Sequence, residues 1–238
     1  MPILNPPLVA AGKPAWSRFG SRIRIGLLAW SLVIAGCHSS KPALPELGAR
    51  FEPKNIYRAI EVLPGDLQRV VLMPVTVSSP DLATLDHRRE LARILEEELR
   101  KTHRFEVVKA TPEELRRGFG KDAFSAGEVL PADLLSRIQA AHSADGVLFV
   151  QIASYRPFPP VAIGWELRLV TADQGRTLWS ADESFDASQA DVARAARDYF
   201  RGHHTGSSEL ADPQADLRSP SRFCRYTAQA LWQTLPKR

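Results

Sequence analysis

The side chain whose surroundings most sharply suggest chemistry is Cys37. It closes the tetrad Ile34-Ala35-Gly36-Cys37, in which two small residues leave the backbone accessible to a processing enzyme and the thiol offers a nucleophile. Three carboxylates, Asp182, Glu183 and Asp186, lie close enough in the chain to be weighed as a general acid and base for hydrolysis, although no partner motif accompanies them. His203-His204 sits in a polar stretch without cysteines or a second helical pair and reads as a solvated dipeptide. The glycines of Arg117-Gly118-Phe119-Gly120-Lys121 lack the spacing and the trailing Ser or Thr of a phosphate-cradling loop. No serine stands in a nucleophile elbow. No catalytic residue, metal or cofactor is therefore expected. Tyr155 and Phe158, in the run Tyr155-Arg156-Pro157-Phe158-Pro159-Pro160, are candidate partner-binding residues, because rigid aromatic and proline surface loses little entropy on docking. The same run equally suits a crossover loop packed on its own sheet.

Cys37 needs an element to deliver it, and the preceding residues supply one. The chain has 238 residues, 44% apolar and 24% charged, a balance that excludes wholesale disorder and collagen-like designs. Its net charge of +4 is concentrated at one end: Lys13, Arg18, Arg22 and Arg24 precede Gly36 without any acidic residue, and the remaining 27 basic residues are matched by 27 acidic ones. A nucleic-acid partner is not expected, since counterion release requires cations gathered on the binding face. The basic stretch leads into the apolar run from Ile25 to Ala35, giving the charged, apolar, small-residue order of a secretory signal. As a helix that run would reach roughly 16 Å, about half of a hydrocarbon core, which suits a cleaved signal better than a span.

The tetrad resembles the lipobox of bacterial lipoproteins. The resemblance implies cleavage after Gly36, with Cys37 as the first mature residue, its sulfur carrying a diacylglyceryl group and its nitrogen an acyl chain such as palmitate. Each buried methylene contributes about 0.8 kcal/mol, so several chains hold a protein on a bilayer where one lets it exchange. The lipid bilayer would be the first partner, reached through acylated Cys37. His38, in place of an aspartate, resembles lipoproteins sent on to the outer membrane, facing the periplasm. Cys224 is then the only other cysteine, which excludes an intramolecular disulfide and reads as a buried, inert thiol.

Residues 1–36 are accordingly read as a signal peptide, residues 37–66 as a lipidated N-terminus and flexible tether, and residues 67–238 as a single small α/β domain. In that domain Arg69 to Val75 and Val147 to Ile152 are nearly continuous apolar runs, the pattern of strands buried on both faces and lying side by side. Leu91, Ile94, Leu95 and Leu99 recur at helical spacing, with Glu96-Glu97-Glu98 on the wet side and Glu96–Arg100 and Glu97–Lys101 as ion pairs. Phe105 to Val108 reads as a strand, Thr111-Pro112-Glu113-Glu114 as a capped helix start, and Pro131 as the opening of a further helix. Ile163 to Leu169 alternates, and with Arg176 to Ala181 it forms an antiparallel hairpin around Asp173-Gln174-Gly175. Helices are expected from Ser188 to Arg201 and, amphipathic and C-terminal, from Ser219 to Leu235, with a polar loop between them. The expected architecture is a mixed sheet with helices packed on it.

The succession Val71-Leu72-Met73-Pro74-Val75, Leu95-Glu96-Glu97-Glu98-Leu99, Phe105-Glu106-Val107-Val108, Ala144-Asp145-Gly146-Val147-Leu148 and Leu167 to Ala172 with Gly175 and Trp179-Ser180 is similar to one superfamily. This is the domain of curli-secretion lipoproteins, penicillin-binding-protein activator lipoproteins and the amino-terminal part of TolB. The resemblance spans roughly residues 69 to 186 and implies a non-enzymatic protein that binds another envelope protein as an accessory factor. A secretion channel is not expected, because the run from Tyr155 to Pro160 is too short and proline-rich to supply a membrane hairpin. The alternative is an envelope hydrolase using the carboxylates near Asp182.

Overall fold

Val70, Val71 and Leu72 are buried without alternation, as are Val147 to Val150, because helices cover both faces of the sheet these runs build. The computed structural model describes residues 51–79, 84–203 and 213–238. The strands are β1 (Ile56–Arg58), β2 (Arg69–Leu72), β3 (Thr76–Val77), β4 (Glu106–Lys109), β5 (Gly146–Arg156), β6 (Ala162–Thr171) and β7 (Thr177–Asp186). The helices are α1 (Leu85–Arg100), α2 (Pro112–Phe119), α3 (Leu134–His142), α4 (Ala190–His203), α5 (Pro213–Arg218) and α6 (Pro220–Trp232). Strand order is β1-β7-β6-β5-β2-β4, with β3 continuing beyond β2 alongside β5. The β4-β2-β5 side is parallel and the β5-β6-β7-β1 side antiparallel, so this is a mixed α/β sheet.

Two cores divide along the sheet. On one face α1, α4 and α6 enclose a large cluster with Leu72, Leu148, Trp165, Leu167 and Trp179. On the other, α2 and α3 close a smaller cluster over Val71, Met73, Val147 and Phe149. α1 forms because Thr84 accepts a hydrogen bond from the His87 N–H, while Leu91, Ile94, Leu95 and Leu99 form one buried stripe. Burial of each such leucine or isoleucine contributes about 1.5–3 kcal/mol. α2 begins with the expected capping box: Thr111 Oγ1 accepts from Glu114 N, and Glu114 Oε2 accepts from Thr111 N. α6 is fixed by tryptophans that keep a polar partner while buried. Trp165 Nε1 donates to Thr227 Oγ1 at 3.0 Å, Trp179 Nε1 to Thr234 Oγ1 at 3.1 Å, and Trp232 Nε1 to the Leu95 carbonyl at 3.0 Å.

Residues 61–67 meet the C-terminal residues Lys237 and Arg238. Leu63 N donates to the Lys237 carbonyl at 2.7 Å, Lys237 N to the Glu61 carbonyl at 3.0 Å, and the Arg238 guanidinium to the Leu67 carbonyl at 2.7 Å.

Several sequence expectations are corrected. The stretch 37–66, read as tether, carries β1, which pairs with β7 through Ile56, Tyr57 and Arg58, and it buries Leu63. Its prolines and glycines mask three extended residues that need only a neighbouring edge. Pro131 to Asp133 forms a turn, and α3 starts at Leu134. The polar segment after α4 contains α5, whose Leu217 and Asp216 are buried. The Glu96-Glu97-Glu98 cluster is not simply a wet face: Glu98 is only 5% exposed because α6 packs over it, and it accepts from Lys101 and Arg225. The Glu96–Arg100 pair forms at 3.0 Å, whereas Lys101 pairs with Glu98 and Glu97 with Arg93. Tyr155 lies inside β5 and not in a loop.

Candidate functional site

The tetrad Ile34-Ala35-Gly36-Cys37 and His204 lie outside the described residues. The three carboxylates are inside them: Asp182 is exposed, whereas Glu183 and Asp186 take structural partners. Asp182 and Glu183 are successive strand residues and so point to opposite faces of the sheet. Glu183 Oε2 accepts from the backbone N–H groups of Lys54 and Asn55 at 2.6 and 3.1 Å, tying the entry segment to β7. Asp186 accepts from Arg156 Nη2 at 2.9 Å and from Ser188 N at 2.8 Å. Burial acts to raise its pKa, but the Ser188 hydrogen bonds and the Arg156 guanidinium outweigh that and hold it below the usual carboxylate value. A general acid requires the opposite shift. Glu183 and Asp186 are thus each engaged in structural hydrogen bonds.

Tyr155 and Phe158 are separated by the structure into different environments. The Tyr155 ring is half-buried against the large core and meets the His87 ring edge-on at 5.5 Å. Burial pushes its phenol up to about 12, with Cys224 and Glu90 adding to the rise, so it stays neutral. Phe158 stands at the tip of the β5–β6 hairpin with 75% of its surface exposed. Arg156 anchors that hairpin through Asp186 and through the Pro160 carbonyl at 2.6 Å. Gly164 lets the hairpin close beside the β5 irregularity: a Cβ there would lie 2.5 Å from Ser154 Oγ and 3.2 Å from Ser154 N.

The largest concavity among the described residues is one that the sequence did not reveal. From β2 and β3 the chain crosses through α1 on one face to reach β4, then returns through α2 and α3 on the other face to β5, which lies on the far side of β2. The loops leaving adjacent strands β2 and β4 therefore diverge to opposite faces, and a crevice opens at their carboxyl ends, as in other open α/β sheets. This cleft has a volume of about 630 Å³. Leu72, Met73, Pro74, Val75 and Ala110 give it an apolar floor, and α1 and α2 wall it with Arg88, Arg93 and Arg116.

Most of its charges are internally matched. Arg116 makes a double hydrogen bond to Asp122, 2.6 Å on each arm, and that contact holds the Asp122 carboxyl below its ordinary value. Lys109 reaches Glu96 at 3.1 Å, and Arg93 pairs with Glu97. Arg88 differs. Half-buried in the first turns of α1, its guanidinium has no hydrogen-bond or acidic partner among the described residues. One turn of α1 thus bears Arg88 toward the cleft and His87 toward Tyr155. Arg88, Lys109 and Arg116 each look like ordinary surface charge in the sequence. The signal that could have found the cleft is topological: a central strand whose two parallel neighbours are reached by crossovers on opposite faces.

Among the described residues no helix is long and apolar enough to cross a membrane, and no cluster of three or more His, Cys, Asp or Glu is placed to hold a metal ion. No protein-family model matches the chain, and no curated protein matches it in sequence. Among solved structures, it is similar to the PelC dodecamer from Paraburkholderia phytofirmans, with 16% identity, a TM-score of 0.38, and coverage of 59% of this chain and 86% of that one. The lipoprotein GNA1162 from Neisseria meningitidis overlaps with 17% identity and a TM-score of 0.35, covering 59% and 99% respectively. The C-terminal domain of LpoB from Escherichia coli overlaps with 16% identity and a TM-score of 0.35, covering 54% and 86%. Overlap at this level assigns neither a family nor a function.

Proposed function

We propose that this chain is a lipid-anchored protein of the bacterial cell envelope whose α/β domain binds another envelope protein without catalytic turnover. The observation that carries the reading is the tetrad Ile34-Ala35-Gly36-Cys37, set at the end of the largely apolar run from Ile25 to Ala35 that follows a basic stretch. Acyl chains on Cys37 hold the mature protein on the outer membrane, facing the periplasm. The structural use of Glu183 and Asp186, each committed to hydrogen bonds that tie neighbouring segments to β7, supports a binding role over hydrolysis. Half-buried Tyr155, beside His87 in the first turn of α1, and exposed Phe158, held on a braced hairpin, supply aromatic surface.

The anchor is tested by producing the full-length protein in a Gram-negative host with labelled palmitate and measuring the mass of the amino-terminal peptide. The expected product begins at Cys37 and carries acyl mass, and Cys37→Ser abolishes both labelling and membrane retention. An intact start at Met1 with a bare thiol at Cys37 overturns the reading.

A further inference from the structure

Arg88 stands half-buried at the edge of an apolar cleft, without an acceptor among the described residues and with its guanidinium still open to solvent. Five N–H donors are fixed in a planar fork that matches the two oxygens of a carboxylate. The neighbouring cations do not need the same ligand, because Arg116, Lys109 and Arg93 already face Asp122, Glu96 and Glu97. Arg88 therefore marks where an incoming acid would gain most.

The shape of the surroundings narrows the class of ligand. The floor is apolar, so the acid must be flanked by apolar groups. A second trough of about 450 Å³ shares Arg88, Asp122 and Ala123 with the first and runs on past Thr76 and Val77 to Lys121. A small ligand is ordinarily enclosed over most of its surface. Here the floor continues out of the cleft as an open channel, a form that suits a stretch of extended chain. Along the main cleft Arg89, Arg93, Lys109 and Arg116 face Asp86, Glu97, Glu96 and Asp122, so Arg88 is the cation that an incoming carboxylate meets unmatched among the described residues.

We propose that the cleft between the carboxyl ends of β2 and β4 binds an extended peptide segment of a partner protein in which acidic and apolar residues alternate, one carboxylate pairing with Arg88 and the apolar side chains resting on Leu72 to Val75. Alternation follows from the strand geometry of the bound segment, whose successive side chains point to opposite sides. The proposal rests on the reading of the domain as a protein binder and identifies the chemistry of what is bound. It is independent of the anchor, so loss of acylation at Cys37 and loss of peptide binding are separately observable.

The test uses the purified full-length chain and a fluorescein-labelled octapeptide alternating Glu and Leu, with matched probes alternating Lys and Leu or Glu and Ser. The chain contains two methionines, and the described one, Met73, borders the cleft from the smaller core, so its ¹³C-labelled methyl signal senses packing changes when this site is filled. The expected result is saturable binding of the Glu-Leu probe with a shift of the Met73 signal, and affinities at least about tenfold lower for both matched probes. Arg88→Ala weakens the Glu-Leu probe by about tenfold, the usual cost of removing one charged hydrogen-bond partner. Ala92→Trp, which fills the cleft from the outer side of α1 and leaves the core stripe intact, abolishes the Met73 shift. Binding that ignores both substitutions overturns the proposal. So does displacement of the peptide by dodecanoate or inorganic phosphate at lower concentration, which would assign the cleft to a lipid acid or a free anion.

Discussion

Glu98 shows how a single side chain can join two helices. Only 4% of its side chain is accessible, and it accepts from Lys101 Nζ at 2.6 Å within α1 and from Arg225 Nη1 at 2.9 Å across to α6. Removing one partner of a buried ion pair usually costs about 3–5 kcal/mol, chiefly because the remaining charge is left without compensation. Arg225 keeps 36% side-chain exposure and Lys101 stays in place, so Arg225→Ala is expected to cost less, about 2 kcal/mol by urea unfolding. A double-mutant cycle with Glu98→Gln should return most of that as coupling, and additivity of the two losses would show that the contact contributes nothing specific. The expectation of a solvated acidic face failed at this residue for a plain reason. Helical spacing tells which side of α1 is apolar, but it cannot tell that a second helix reaches around the boundary and covers one of the glutamates.

At the level of elements, the β5–β6 hairpin and its neighbour β7 are held together by Asp186, which joins Arg156 at the end of β5 to the backbone of Ser188 ahead of α4. Because its folded pKa is depressed, its contribution is fully present above the unfolded value of about 3.9 and is lost as pH falls through the lower folded value. Asp186→Asn is therefore expected to be less stable than the wild type near neutral pH by about 1 kcal/mol, the scale of a partly exposed pair, with the gap closing as acidification proceeds below the unfolded value. Denaturant midpoints for both proteins across that range check it, and a gap that widens in acid would contradict the assignment. Elements with a strong local signature were legible beforehand: the Thr111 cap, the two buried parallel strands, and the alternation of Ile163, Trp165, Leu167 and Leu169 all appear where the sequence placed them. β1 and α5 were not. Three residues of strand and six of helix are too short to show a period, and each is stabilised by a partner distant in sequence.

For the whole molecule, the question is whether the large core opens as one unit. Cys224 is a suitable witness, a free thiol fully buried between α6 and the sheet. Burial pushes its pKa far above that of an ordinary cysteine, with Glu90 adding to the rise, so it is a poor nucleophile while the fold persists. In a Cys37→Ser chain, where it is the sole thiol, labelling by a disulfide reagent should be negligible in native buffer and should rise with urea in parallel with the tryptophan fluorescence change. Labelling well ahead of that transition would mean that α6 detaches by itself. The cleft was illegible at this scale because it belongs to no segment; it arises from the order in which crossovers visit the sheet. A different global property follows from the stitching of residues 61–63 to Lys237. A pull arriving along the N-terminal side meets β1 on β7 and then this lacing, which hands part of the load to the last residues behind α6. Such a load would be carried at the β1 hem of the sheet, at the far side from β4.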